Sequence, residues 1–133
     1  MSKFIPLSEP NLSHEEIDSV LKALKDGWVS SAGPDVKEFE SLVADYLGVE
    51  NAVACSSGTA ALHASLHFCE IHHGHDVILP SLTFVATANA ITYTGAKPVF
   101  ADIEIETLGL DFSKLKNFIK INYKRHSNKF LNK

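Results

Sequence analysis

The stretch VACSSGTAALHASL, residues 53–66, joins a short apolar run to a segment with helical spacing through Ser56, Ser57, Gly58 and Thr59. A glycine at such a junction allows a sharp backbone turn and the close approach of another group. The first amides of a helix have no partner inside that helix, so this corner can hold an anion. It can equally be a turn with a hydroxyl cap, because Ser and Thr are preferred at helix N-caps. The stretch has neither the lysine of a P-loop nor the three-glycine spacing of a dinucleotide fold.

Helical and strand patterns alternate along the chain. Ser13 and Glu16 make a capping box for a first helix, which ends near Gly27. A second helix begins at Pro34 and ends at Gly48. Apolar runs bounded by breakers predict strands, and helical spacing between them predicts further helices. The strands are expected near residues 51–55, 77–79 and 98–102, and the further helices at residues 59–70 and 84–94.

This order of elements predicts an α/β fold with a parallel sheet and right-handed crossovers. Ligand sites in such sheets lie at the carboxyl ends of the strands. The loop SSGT follows the first predicted strand, and PSLTF, residues 80–84, follows the second, so we expect both loops at one edge. Phe84 is either part of a pocket at that edge or a core aromatic residue.

Charge is divided unevenly along the chain, whose net formal charge is −4. Residues 1–111 carry all 16 acidic residues and 5 basic ones, whereas residues 112–133 carry 7 basic residues and no acidic one. A basic segment of this kind can bind nucleic acid. Its interleaved aliphatic and aromatic residues are typical of an element that packs, so we expect a solvated basic face and no nucleic-acid partner.

The cysteines and histidines together do not predict a metal site. Cys55 and Cys69 lie in apolar segments without CxxC spacing, which favours buried free thiols in a reducing compartment. His63 and His67 have the i, i+4 spacing of a zinc pair, with three further histidines in the following loop. A metal site also needs a carboxylate or thiolate placed by the fold, and Cys69 is not on the face of the two helical histidines. We therefore expect no bound metal.

The sequence has no apolar run of membrane-spanning length, and its first residues lack the apolar stretch of a signal peptide. We expect a cytoplasmic protein without a membrane partner.

Two segments together resemble the N-terminal part of the DegT/DnrJ/StrS-type sugar aminotransferases, which are pyridoxal-phosphate enzymes of fold type I. They are GWVSSAGPDVKEFESLVADYLGVENAVACSSGTAALHASL, residues 27–66, and DVILPSLTFVATANAITYTGAKPVFADIE, residues 76–104. The resemblance covers about residues 5–111 and is closest to enzymes that aminate C4 of UDP-linked 4-keto-6-deoxy sugars. It implies that residues 1–111 form part of the large cofactor domain, with a partial parallel sheet and flanking helices. Residues 112–133 are then a basic tail of unassigned structure.

The resemblance also implies roles for particular residues. In the family, the corner after the first large-domain strand holds the phosphate of pyridoxal phosphate, and the aromatic residue of a P-x-x-T-F segment stacks on its ring. The segment that matches GWVSSAGP borders the substrate pocket. The implied cofactor-binding residues are Ser57, Gly58, Thr59 and Phe84, and the implied substrate-binding residues are Trp28, Ser30 and Ser31.

Two catalytic motifs of the family do not occur in these 133 residues. They are a lysine that binds the cofactor covalently and a carboxylate in a D-x-A segment that keeps the pyridine nitrogen protonated. Lys97 opens a strand at the end opposite the pocket, and the lysines from Lys114 onward have no counterpart in the family. No residue is therefore predicted to be catalytic, and pyridoxal phosphate is expected to bind weakly or not at all.

Two classes of function follow. The chain is either a truncated nucleotide-sugar aminotransferase that is inactive alone, or a non-catalytic module that binds a phosphorylated ligand or pairs with a full-length aminotransferase. The complete enzyme would use a nucleotide sugar and an amino donor such as glutamate, and would form a homodimer, as the family does. Residues 112–133 are either an insertion or the product of a frameshift, and both alternatives stay open.

Overall fold

A computed structural model describes residues 4–30, 32–126 and 129–132 of the chain. The chain divides into two compact units, Met1–Ala54 and Cys55–Lys133. Helices α1 and α2 belong to the first unit, and all further elements belong to the second. The elements in chain order are α1 (His14–Lys25), α2 (Pro34–Leu47), α3 (Gly58–Phe68), β1 (Asp76–Pro80), α4 (Val85–Tyr93), β2 (Lys97–Ala101), α5 (Phe112–Asn122), β3 (Tyr123–His126) and β4 (Lys129–Asn132).

The first unit has the two helices that local signals predict. The Ser13 hydroxyl accepts a hydrogen bond from the Glu16 N–H at 3.3 Å, and the Ser13 N–H donates to the Glu16 carboxylate at 2.6 Å. After α1, Gly27 adopts φ +78°, and the Trp28 N–H then reaches the Ala23 carbonyl at 3.0 Å. This left-handed glycine ends the helix as a Schellman motif. The predicted capping box and the ends of both helices are confirmed.

The second unit contains a parallel pair of strands joined by a helix. Strand β1 pairs with β2 in parallel, in a register that runs from Asp76 opposite Lys97 to Pro80 opposite Ala101. Helix α4 connects them and packs against both strands and against α3. The hydrophobic core lies where these elements meet. Its buried residues are Leu79, Ile91 and Ala96, and the partly buried residues packed against them are Leu66, Ile71, Val77 and Ala88. The predicted α/β fold with a partial parallel sheet and flanking helices is confirmed.

The prediction of a third parallel strand at residues 51–55 is wrong. None of these residues forms a strand, although the segment is apolar. The Ala54 N–H donates instead to the Glu40 carboxylate at 2.8 Å. This N–H group is therefore hydrogen-bonded to a side chain and not to a neighbouring strand. A strand exists only where a neighbour supplies ladder hydrogen bonds, and the described chain supplies none to this segment.

The basic segment has a structure that the sequence did not assign. Asp111 caps α5 by accepting hydrogen bonds from the N–H groups of Ser113 and Lys114, both at 3.0 Å. The Lys114 ammonium also lies 3.0 Å from the Asp102 carboxylate, just beyond β2. Beyond α5, strands β3 and β4 form an antiparallel pair. Helix α5 has no buried residue, so the expectation of an element that packs is not confirmed, and the domain boundary at residue 111 stays a prediction.

Cys55 and Cys69 are both free thiols, and both are exposed. The prediction of buried thiols is wrong: Cys55 ends the unpaired segment 51–55 and Cys69 is the C-cap of α3, and neither side chain belongs to the core cluster. In the part of the chain that the structure describes, no helix has the length and apolar character needed to cross a membrane.

Candidate functional site

The N-terminus of α3 carries the first three predicted cofactor residues. Ser57 is the N-cap, and its hydroxyl accepts a hydrogen bond from the Ala60 N–H at 3.2 Å. The Ala61 N–H donates to the Ser57 carbonyl at 3.0 Å, which closes the first helical turn. Gly58 and Thr59 are the first two helical residues, whose N–H groups have no acceptor inside a helix. With no acidic residue in the first turn, this helix end is a donor-rich, electropositive corner.

Gly58 itself is not required by the fold. Its φ is not in the left-handed region, so a sharp turn does not explain the residue, contrary to one expectation from the sequence. Apart from its chain neighbours and the backbone of its own helix, a Cβ added to Gly58 would meet no atom within 4 Å, so close packing does not explain it either. What remains is open space over an exposed backbone at a helix N-terminus. The phosphate of pyridoxal phosphate would need such open access to backbone N–H groups, and its binding at Gly58 stays a prediction.

Phe84 lies at the carboxyl end of the sheet, as predicted. It is the N-cap of α4, four residues after the end of β1, and its side chain cannot cap the helix. The residue is 85% exposed, so it is not a core aromatic. It lines an open depression of about 510 Å³ together with Leu82, Thr83 and Val85. Its flat apolar face is therefore accessible to a ring.

Both parts of the predicted cofactor site begin helices of the same unit. Helices α3 and α4 pack against each other, and the His63 ring meets the Tyr93 ring edge-on, with centroids 5.7 Å apart. Ser57, Gly58 and Thr59 open α3, and Phe84 opens α4. Their joint contact with a cofactor is a prediction that this arrangement supports.

The predicted substrate residues belong to the first unit. Trp28 follows α1 and is half exposed, and its Cβ would lie 3.2 Å from a Cβ added at Gly33, which explains a small residue there. The Ser30 hydroxyl accepts a hydrogen bond from the Ala32 N–H at 3.4 Å. Ser31 lies outside the described residues. The role of this segment toward a substrate stays a prediction.

The histidines form contacts among themselves. The rings of His72 and His75 lie 4.2 Å apart between centroids, and the His72 N–H donates to His75 Nδ1 at 3.1 Å. Across residues 4–30, 32–126 and 129–132 there is no group of three or more side chains that could hold a metal ion.

One pair of side chains at the site was missed by the sequence reasoning. The hydroxyls of Thr83 and Thr87 lie 3.0 Å apart and bracket Phe84. Their i, i+4 spacing across the start of a predicted helix is the signal that could have found them.

Comparison with known proteins gives the family. The model of the DegT/DnrJ/EryC1/StrS aminotransferase family matches residues 10–125. The chain belongs to this family. The family is pyridoxal-phosphate-dependent, which confirms the cofactor that the resemblance implied.

The relatives of this family member include enzymes named for nucleotide sugars. GDP-perosamine synthase of Caulobacter vibrioides is 45% identical over 115 residues, which are 86% of this chain and 31% of that protein. UDP-4-amino-4-deoxy-L-arabinose–oxoglutarate aminotransferase of Shewanella sediminis is 37% identical over 89% of the chain and 30% of its own length. The chain thus spans about three tenths of these curated relatives.

A solved structure confirms the fold class. The pyridoxal-phosphate form of the putative sugar aminotransferase Spr1654 from Streptococcus pneumoniae matches with a TM-score of 0.75 and 36% identity. The match covers 85% of this chain and 29% of that one. The chain therefore corresponds to one section of a fold-type I aminotransferase.

Proposed function

We propose that residues 1–133 supply the phosphate cradle and the ring-stacking residue of a nucleotide-sugar aminotransferase. The observation that carries this proposal is Gly58, a glycine that neither backbone conformation nor packing requires, placed where α3 presents its first N–H groups. Membership of a pyridoxal-phosphate-dependent family supports it.

The cradle acts through backbone and hydroxyl donors. The N–H groups of Gly58 and Thr59 donate to phosphate oxygens. Because the Ser57 hydroxyl oxygen already accepts the Ala60 N–H, its proton is available to donate as well. The partial positive charge of the helix end adds roughly 0.3–2 kcal/mol for an anion. The phosphate is held in this way without a lysine from this part of the chain.

Phe84 acts through its ring. An exposed aromatic face gains stability when a flat heteroaromatic ring covers it, through apolar burial and offset stacking. Contact from one side also fixes the plane of the bound ring. Pyridoxal phosphate supplies the electron sink that allows an amino group to move between an amino donor and a keto sugar.

The finer substrate assignment is part of the proposal. We propose a nucleotide-linked 4-keto-6-deoxy sugar as amino acceptor, with a UDP sugar expected, and glutamate as donor. The relatives named above include one GDP-linked and one UDP-linked product, so both nucleotides belong in the assay. Trp28, Ser30 and Ser31 are proposed to border the sugar, and a homodimer is proposed as the working assembly.

The test compares residues 1–133 alone with a chimaera. In the chimaera, residues 1–133 replace the matching section of the Caulobacter GDP-perosamine synthase. Both are supplied with pyridoxal phosphate, glutamate and either GDP- or UDP-linked 4-keto-6-deoxy sugar. We expect amino sugar from the chimaera and none from residues 1–133 alone. Turnover by the 133-residue chain alone would contradict inactivity in isolation. A folded chimaera that neither binds cofactor nor turns over would contradict the proposed cradle and favour a non-catalytic module.

A further inference from the structure

A hydroxyl bridge spans the residue that presents the stacking ring. Thr83 precedes the N-cap of α4 and Thr87 is the third residue of the helix, and their Oγ1 atoms lie 3.0 Å apart. Phe84 stands between them. Either hydroxyl can donate to the other, so the bridge needs no charge.

Phe84 has little else to fix its position. Its side chain makes no capping hydrogen bond, and at 85% exposure it gains little from packing. Its carbonyl accepts the Thr87 N–H at 3.0 Å, which ties its backbone to the first turn. The Thr83–Thr87 bridge closes a second, side-chain link over the same turn and holds the residue before Phe84 against the helix.

The other end of this loop is tied to the sheet. The Ser81 N–H donates to the Ala101 carbonyl at 2.9 Å, at the carboxyl end of β2. Between Ser81 and Thr83 lies Leu82, which is itself more than half exposed. The loop is thus pinned to the sheet at its start and to α4 at its end, and the second attachment is the threonine bridge.

We infer that Thr83 and Thr87 are positioning residues that hold the Phe84 ring in the orientation needed to stack on the cofactor. This inference rests on the proposed function of Phe84. A ring held before the ligand arrives loses less conformational freedom on binding, so the bridge raises affinity through preorganisation. Neither threonine needs to touch the ligand.

The experiment uses the 133-residue chain at micromolar concentration with pyridoxamine 5′-phosphate as probe, because this ligand binds without a covalent link to lysine. The variants are Thr83→Val and Thr87→Val, which remove a hydroxyl, and Thr87→Ser, which keeps it. Thr92→Val is the matched control, since the Thr92 hydroxyl donates to the Asn89 carbonyl at 2.8 Å near the other end of α4.

Two readouts separate positioning from other roles. The first is amide hydrogen exchange of the segment around Phe84 without ligand, which we expect to accelerate in both valine variants and to stay unchanged in Thr87→Ser and Thr92→Val. The second is the affinity for the probe, which we expect the valine variants to lower about 2- to 10-fold, the usual range for one neutral hydrogen bond.

A double-mutant cycle with Phe84→Ala decides whether the threonines act through the ring. We expect Thr83→Val to have no effect on affinity once the ring is removed. An equal loss in the Phe84→Ala background, or exchange that the valine variants leave unchanged, would overturn the inference but leave the phosphate cradle intact. If neither the 133-residue chain nor the folded chimaera binds the probe, the proposed function is contradicted, and with it the positioning role.

Discussion

At the scale of single residues, Gly58 carries the strongest argument and the clearest prediction. Gly58→Val places a branched side chain over the N-terminus of α3. We expect the affinity for pyridoxamine 5′-phosphate to fall by about 5- to 30-fold, the equivalent of 1–2 kcal/mol of anion stabilisation. The stability of the free chain should not fall, because the added Cβ meets no atom within 4 Å apart from its chain neighbours and the backbone of its own helix. Isothermal titration and urea denaturation measure the two effects.

Gly74 provides the control for Gly58→Val. It has φ +92°, so Gly74→Ala should lower the free energy of unfolding by about 1–2 kcal/mol. The affinity of the phosphate cradle for the probe should not change. A Gly58→Val chain that binds the probe as tightly as wild type would show that phosphate does not approach this glycine.

Glu70 has a left-handed backbone conformation that glycine adopts more easily than glutamate. It ends α3 at φ +57°, with its N–H donating to the His67 carbonyl and the Ile71 N–H donating to the Leu66 carbonyl, both at 3.0 Å. This is a Schellman end with a glutamate where glycine is favoured. We expect Glu70→Gly to raise the free energy of unfolding by about 0.5–1 kcal/mol in urea denaturation.

Glu106→Gly serves as the comparison for Glu70→Gly, since Glu106 does not have a positive φ and should show no gain. Equal or lower stability of Glu70→Gly relative to wild type would mean that the left-handed residue carries no strain.

At the scale of elements, Tyr123 joins the start of β3 to β1. Its hydroxyl donates to the Asp76 carboxylate at 2.8 Å, and burial together with this hydrogen bond and the Asp76 charge raises the Tyr123 pKa to about 12. Because the pKa is raised on folding, the stabilisation is present below the ordinary tyrosine pKa of about 10 and is lost as pH rises through about 12.

We expect Tyr123→Phe to remove this stability loss between pH 10 and pH 12. In an absorbance titration of phenolate, the group missing from the variant should be the one that ionises near pH 12. If the missing group instead ionises near pH 10, the contact between β3 and β1 does not persist in solution.

The elements that sequence predicted well are those with local signals. Capping residues and glycines mark the ends of α1 and α2 within a few positions, and breakers mark β1 and β2. The segment at residues 51–55 has the composition of a buried strand, but pairing depends on a distant neighbour that composition cannot supply. Helix α5 was not predicted as a helix, although Asp111 at its N-cap is a local signal that could have indicated one.

At the scale of the whole molecule, the chain exposes much of its apolar surface. The face of α1 is typical: Ile17, Val20, Leu21 and Leu24 are all exposed. We expect concentration-dependent self-association, because water-exposed apolar faces associate and β1 has no neighbour on its second edge within the described residues. Sedimentation velocity at increasing concentration measures it.

A substitution of Val20 tests the contribution of the α1 face. Val20→Lys should shift the association to higher concentration, whereas Lys25→Arg, at the end of the same helix, should not. A compact monomer at every concentration, with cooperative unfolding, would contradict the prediction and favour an independent module.

The candidate site was predictable to different extents in its different parts. Ser57, Gly58 and Thr59 are contiguous, so a local pattern places them at one helix end. Phe84 was placed correctly at the carboxyl end of β1, but only the structure shows that it is exposed. The spacing of Thr83 and Thr87 could have suggested their contact, but only the structure shows that the two hydroxyls lie 3.0 Å apart.

The most direct test of the phosphate cradle compares two ligands that differ only by the phosphate. Calorimetric titration of the 133-residue chain with pyridoxamine 5′-phosphate and with pyridoxamine isolates the contribution of the N-terminus of α3. We expect weak binding of the phosphorylated ligand, at least about 5-fold tighter than pyridoxamine, with the difference abolished by Gly58→Val. Equal affinity for the two ligands, or a phosphate preference that survives Gly58→Val, would contradict the assignment of Ser57, Gly58 and Thr59 as the phosphate cradle.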